Sequence, residues 1–172
     1  MSRLGPSTWT LGTALLLLGP APSGAADNGF AVVSAGLFDA LQADDRAGEI
    51  GLQLRGRGWL WRHRLAPMAG ILTTTDGSFC GYAGLSLDVP LGSHFALRAS
   101  FGPGAYARGG GKNLYSVFQM RSGLEAGWRF RTGTRLGLEL GHISNGSITE
   151  YNPGQTSLLL LVTIPFAMGG GR

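Results

Sequence analysis

His142 and Ser144 stand two residues apart in Gly-Leu-Glu-Leu-Gly-His142-Ile-Ser144-Asn145. A histidine beside a serine is the minimum equipment for nucleophilic acyl transfer. A serine hydroxyl is a poor nucleophile at neutral pH, but an imidazole within hydrogen-bond reach takes its proton and later passes it to the leaving alcohol. If the segment is a strand, both side chains point to one face. Asn145 and Asn152, with backbone amides of residues 145–154, are candidate donors to the oxyanion of such a reaction. Asn152-Pro153-Gly154 is turn-forming sequence that would fix the segment. Alone, neither pattern is specific: His-x-Ser spacing is common, and Asn-Pro-Gly is most often only a turn.

The elements that would carry this pair read as strands. The hydrophobic pattern has period 2 in segments at about 30–38, 48–57, 60–74, 80–90, 94–103, 115–131, 134–144 and 157–166. In the sixth, Met120, Leu124, Ala126, Trp128 and Phe130 share one face, while Gln119, Arg121, Glu125 and Arg129 share the other with glycines. In the seventh, Leu136, Leu138 and Leu140 oppose Arg135 and Glu139. The second and fourth repeat the scheme, Ile50, Leu52 and Leu54 against Glu49, Gln53 and Arg55, and Leu85 and Leu87 against Ser86 and Asp88. Counting back from His142 puts it on the greasy face.

Composition decides what that face meets. Charged residues are only 14% of the 172, glycines number 30, and one lysine lies beyond the first 26 residues. A soluble sandwich carries a lysine- and glutamate-rich outer face; a small transmembrane barrel turns apolar residues to lipid and packs arginine–carboxylate pairs with glycine inside. The sequence therefore predicts an all-β fold, an eight-stranded antiparallel transmembrane β-barrel of the outer membrane. Residues 1–26, with Arg3, the apolar run Leu11 to Leu18 and Ser23-Gly24-Ala25-Ala26, read as a secretory signal peptide, and 27–172 as the barrel domain. Cys80 has no partner for a disulfide, and His63, His94 and His142 lie on separate segments without metal-ligand spacing, so neither a metal nor another cofactor is expected. The formal charge of +4 is not gathered into a stripe, which argues against nucleic acid as a partner. With both termini on the periplasmic side, odd strands run outward. His142 and Ser144 then sit at the outer leaflet, where an acyl ester of a lipid is within reach.

The stretch from His142 to Gly154 resembles the active-site segment of the lipid A 3-O-deacylases, a PagL-like acyloxyacyl hydrolase family. Gly36-Leu-Phe-Asp39, residues 44–49, Tyr82-Ala-Gly-Leu-Ser-Leu-Asp-Val-Pro-Leu and Arg121-Ser-Gly-Leu-Glu125 are similar to that family as well. The resemblance implies an outer-membrane esterase that removes the 3-O-linked acyl chain of lipid A in lipopolysaccharide, its Ser-His-Glu triad facing lipid. It makes Ser144 the nucleophile and His142 the base, with Asn145 and Asn152 beside the oxyanion. One position departs from the family: its glutamate falls on Thr156, which cannot supply the negative charge that stabilises an imidazolium. Glu150 is the candidate substitute acid and Gln155 a candidate to orient His142. Arg108 and Lys112, in the glycine-rich segment 102–113, are candidate contacts for lipid A phosphates. Two other readings stay open: a non-catalytic structural or adhesive barrel that has lost its acid, and a soluble exported β-protein. Pairing into a homodimer is also left open.

Overall fold

The computed structural model describes residues 28–42, 45–60 and 64–167; the expected signal peptide lies outside them. Eight strands follow in chain order: β1 Asn28–Phe38, β2 Ala47–Arg55, β3 Leu65–Thr74, β4 Phe79–Leu91, β5 Phe95–Ala107, β6 Phe118–Arg129, β7 Arg135–Ser144 and β8 Gln155–Ala167. Each pairs antiparallel with the next, and β8 pairs with β1, closing the barrel. Closure satisfies the ladder all round and leaves no sheet edge.

The alternation read from the sequence is the alternation of the barrel wall. Leu124, Leu138 and Leu160 are 55%, 56% and 51% exposed and lie in a continuous outward belt with Ile50, Leu52 and Leu54. The residues between them are buried in the lumen. There Glu125 accepts from Arg55 at 2.9 Å and from Arg98 at 3.4 Å, and Arg135 clamps Asp88 through two bonds of 2.8 and 3.0 Å. Arg121 pairs with Glu139 at 2.5 Å and stacks its guanidinium over Tyr82, 4.6 Å from the ring centroid. Charge is tolerable in so narrow an interior because each of these four guanidiniums meets a carboxylate. Toward the end away from the termini the lumen is plugged by apolar side chains, including Phe38, Leu72, Tyr106, Leu114 and Ile143.

Three boundaries differ from the sequence reading by three residues or more. The third strand starts at Leu65, not near 60: Leu60 pairs back onto Leu65, and Trp59 N donates to the Leu65 carbonyl at 3.0 Å. The fifth strand runs through Gly102-Pro103-Gly104 to Ala107. Pro103 costs no ladder bond on the β4 side, because the pairing there passes from Tyr82–Gly104 to Leu85–Phe101, with the Gly84 and Gly102 backbones in contact. The sixth strand begins at Phe118, since Tyr115 adopts φ 58°, which ends extended pairing before it. The longer connections at the end away from the termini are 39–46, 108–117 and 145–154. The 75–78 turn at that end is short; Asp76 is braced in it by Thr74 Oγ1 and by the backbone N and Oγ of Ser78.

Replacing Glu125 by alanine takes from Arg55 its 2.9 Å carboxylate partner and leaves Arg98 to Asp88, 3.3 Å away. The loss expected is about 3–5 kcal/mol, read as a lowered urea midpoint for unfolding the barrel in detergent; an unchanged midpoint would show the lumen network contributes nothing.

Candidate functional site

His142 lies on the outward face of β7, in line with Leu138 and Leu140, while Glu139, Gly141 and Ile143 turn into the lumen. Ser144 shares that face two residues on and is half-buried. Both sit at the last turn of pleat before the 145–154 loop, at the rim away from the termini. The parity expected from the sequence therefore holds for both side chains.

The neighbouring strands complete the surroundings. On β8, Thr156 is the register partner of His142, and its Oγ1 lies 3.2 Å from His142 Nδ1. The next register step pairs Ile143 with Gln155, and the Asn-Pro-Gly turn ends at Gly154, directly before that residue. Gly154 has φ 58°, and a Cβ there would stand 3.0 Å from His142 Cε1 and 3.3 Å from Nε2. The imidazole thus lies between a threonine hydroxyl at Nδ1 and bare backbone at its other edge, with Nε2 on the Gly154 side. On β6, Met120 is the register partner of Ser144. The Ser144 hydroxyl makes no hydrogen bond to the described residues. Catalytic pairs commonly tighten only when substrate arrives.

The loop is built around Asn145, which is fully buried. Its Nδ2 lies within hydrogen-bond distance of three acceptors: Thr149 Oγ1 at 2.7 Å, the Tyr151 carbonyl at 2.8 Å and the Leu114 carbonyl at 3.2 Å. Its Oδ1 accepts from Ser147 N at 2.9 Å, and its own N donates to Asn152 Oδ1 at 3.1 Å. Asn145 is therefore spent on holding the loop and does not present its amide to an oxyanion. Asn152 is exposed; its Oδ1 is held by Asn145 N, and its Nδ2 makes a 3.5 Å bond to Ser147 Oγ.

Other candidates separate cleanly. Glu150 is exposed, and no hydrogen bond or ion pair joins it to His142. Gln155 does not orient His142: it is buried on the lumen side, where its Oε1 accepts from Asp39 N at 3.3 Å and Ser157 Oγ at 3.2 Å. Strand parity sets this, since Gln155 and Thr156 must face opposite ways. Lys112 does not reach the lipid side either; it is buried and bonded to Asp39 at 2.6 Å. Arg108 is exposed and lines an open recess of about 530 Å³ with Asn113, Tyr115 and Val117. Sequence reasoning treated Gly154 only as part of a turn and Thr156 only as a missing acid. The signal for both was the cross-strand register of the last hairpin, which needs its turn length fixed before it can be counted.

A family model described as lipid A 3-O-deacylase (PagL) matches residues 46–165. Among solved structures, the crystal structure of the outer membrane enzyme PagL is 21% identical, with a TM-score of 0.65 over 80% of this chain and 99% of that one. A de novo designed transmembrane β-barrel aligns over 81% of this chain and 96% of its own, with a TM-score of 0.59 and 10% identity. At these identities the structural likenesses establish the barrel and not its chemistry, as the designed barrel makes plain. No curated protein matches.

Gly154→Ala must displace the imidazole and also strain the backbone at a left-handed φ. The barrel is expected to keep its heat-modifiable gel mobility while the ring resonances of His142 shift in 15N-histidine spectra. Unmoved resonances would show that Gly154 does not set the ring position.

Proposed function

The chain belongs to the lipid A 3-O-deacylase (PagL) family, and from that membership we propose that it hydrolyses the 3-O-linked acyl ester of lipid A, with Ser144 as nucleophile and His142 as general base. The observation that carries this reading is the placement of an imidazole and a hydroxyl on the outward face at the barrel rim. Polar side chains directed at hydrocarbon cost free energy without return unless they act there. An ester of a lipid in the same leaflet reaches them without leaving the membrane.

In this mechanism Ser144 Oγ attacks the ester carbonyl as His142 Nε2 takes its proton. The tetrahedral oxyanion is met by Asn152 Nδ2 and loop amides. Collapse breaks the bond to the glucosamine 3-oxygen, which His142 protonates as it leaves. Water, activated by the same imidazole, then attacks the acyl-enzyme carbonyl, releasing the fatty acid and restoring Ser144. Thr156 accepts the Nδ1 hydrogen, which keeps Nε2 free as the base. It orients the ring as a carboxylate would, but it is neutral and does not offset the imidazolium charge. Slow turnover is the consequence, and the enzyme works as a dyad with a hydroxyl orienter. Glu150 enters this scheme only if the loop swings it toward His142.

Mass spectrometry of lipid A from cells expressing the chain tests the proposal. Loss of one 3-O-linked acyl unit is expected with the wild type, and none with Ser144→Ala or His142→Ala. Identical lipid A from wild-type and Ser144→Ala cells would leave the non-catalytic barrel as the better account. Thr156→Glu is expected to raise kcat about tenfold or more, equivalent to ~1.4 kcal/mol of added transition-state stabilisation. No gain would show that charge at this position is not what limits the rate.

A further inference from the structure

Thr156 is only the second residue of β8, directly after a ten-residue loop, where strand ends ordinarily fray. What holds it on the side away from His142 is the end of β1. Ala40 N donates to the Thr156 carbonyl at 2.7 Å, and Asp39 N donates to the side chain of the adjacent Gln155 at 3.3 Å. The end of β1 is itself unusual. Asp39 has φ 52° and is 1% exposed, and its carboxylate meets Lys112 Nζ at 2.6 Å. Lys112 is also buried and donates to Gln42 Oε1 at 2.9 Å as well, so its ammonium is held by two acceptors at the mouth of the lumen.

The segment that carries Lys112 reaches the other side of the site too. Two residues on, Leu114 is buried in the apolar plug beside Phe38 and Ile143, and its carbonyl accepts from Asn145 Nδ2 at 3.2 Å. Tyr115 then rests against Tyr151, ring centroids 5.3 Å apart. The 108–117 connection therefore spans from the β1 end, which supports Thr156, to the loop that follows Ser144.

We propose that Asp39 and Lys112 form a positioning clamp that holds Thr156, and through it the His142 ring, in the reacting geometry. This inference rests on the reading of His142 and Ser144 as the reacting pair. Neither clamp residue touches substrate. A misplacement of about 1 Å at the reacting groups can cost about 100-fold in rate, so a buried ion pair that fixes the strand end acts on turnover and not on lipid binding.

The full-length barrel in detergent, with Asp39→Asn, Lys112→Met and the double variant, tests this against purified lipid A. Asparagine tolerates the left-handed backbone of Asp39, and methionine keeps the length of the Lys112 stem. Each variant is expected to lower kcat by about 10- to 100-fold with little change in KM. The His142 ring resonances are expected to shift while those of His94, at the opposite end of the barrel, stay fixed. Folded variants with wild-type kcat and unmoved His142 resonances overturn the clamp. If a single variant fails to reach the heat-modifiable folded form, the double variant decides, because it leaves no buried charge unpaired. If the wild type leaves lipid A intact, the deacylase reading falls by itself, and the resonances alone judge whether the clamp positions His142.

Discussion

A closed sheet of eight strands offers each residue two destinations, hydrocarbon or a narrow lumen, and strict alternation assigns them. The rest of this molecule follows from that constraint. It places leucines outward on β6, β7 and β8 and arginines and carboxylates inward on β6 and β7. It forces the inward charges into pairs, since an unpaired guanidinium in so small an interior has neither water nor a counterion. It also fixes the candidate site: with Leu138 and Leu140 facing out, His142 and Ser144 have no other direction to take.

Much of this was legible in the sequence because period 2 is a rigid rule once a strand is recognised. The strand count, the inward charges and the outward imidazole and hydroxyl all came from parity. What escaped came from the places where parity stops. The bridge from Leu60 to Leu65, ahead of β3, hides in a sequence whose apolar and basic side chains mimic continued alternation. Lys112 looked like a surface cation because a glycine-rich segment gives no periodicity from which to judge burial; its partner Asp39 is 73 residues away. Asn145 was read by residue type as an oxyanion donor, yet the folded loop surrounds its amide with acceptors. Gln155 failed for a simpler reason, being one residue out of phase with His142.

Thr156 is where sequence and geometry together say more than either alone. The sequence shows a hydroxyl where the family resemblance implies a carboxylate. The structure shows that this hydroxyl still stands at hydrogen-bonding distance from the imidazole. Orientation and charge compensation, which a glutamate supplies together, are separated here. The loop architecture supports the first: the left-handed Gly154 admits the ring, and the β1 end braces the strand. Nothing among the described residues supplies the second.

The account depends most on the direction in which position 144 looks. A nitroxide attached at Ser144→Cys, in a Cys80→Ala background and in a lipid bilayer, reads that direction by its collisions with dissolved oxygen and with a water-soluble nickel complex. The account predicts frequent oxygen collisions and a depth close to the headgroup boundary. A probe that is immobilised and shielded from both reagents would place the residue in the lumen, where no lipid ester could reach it.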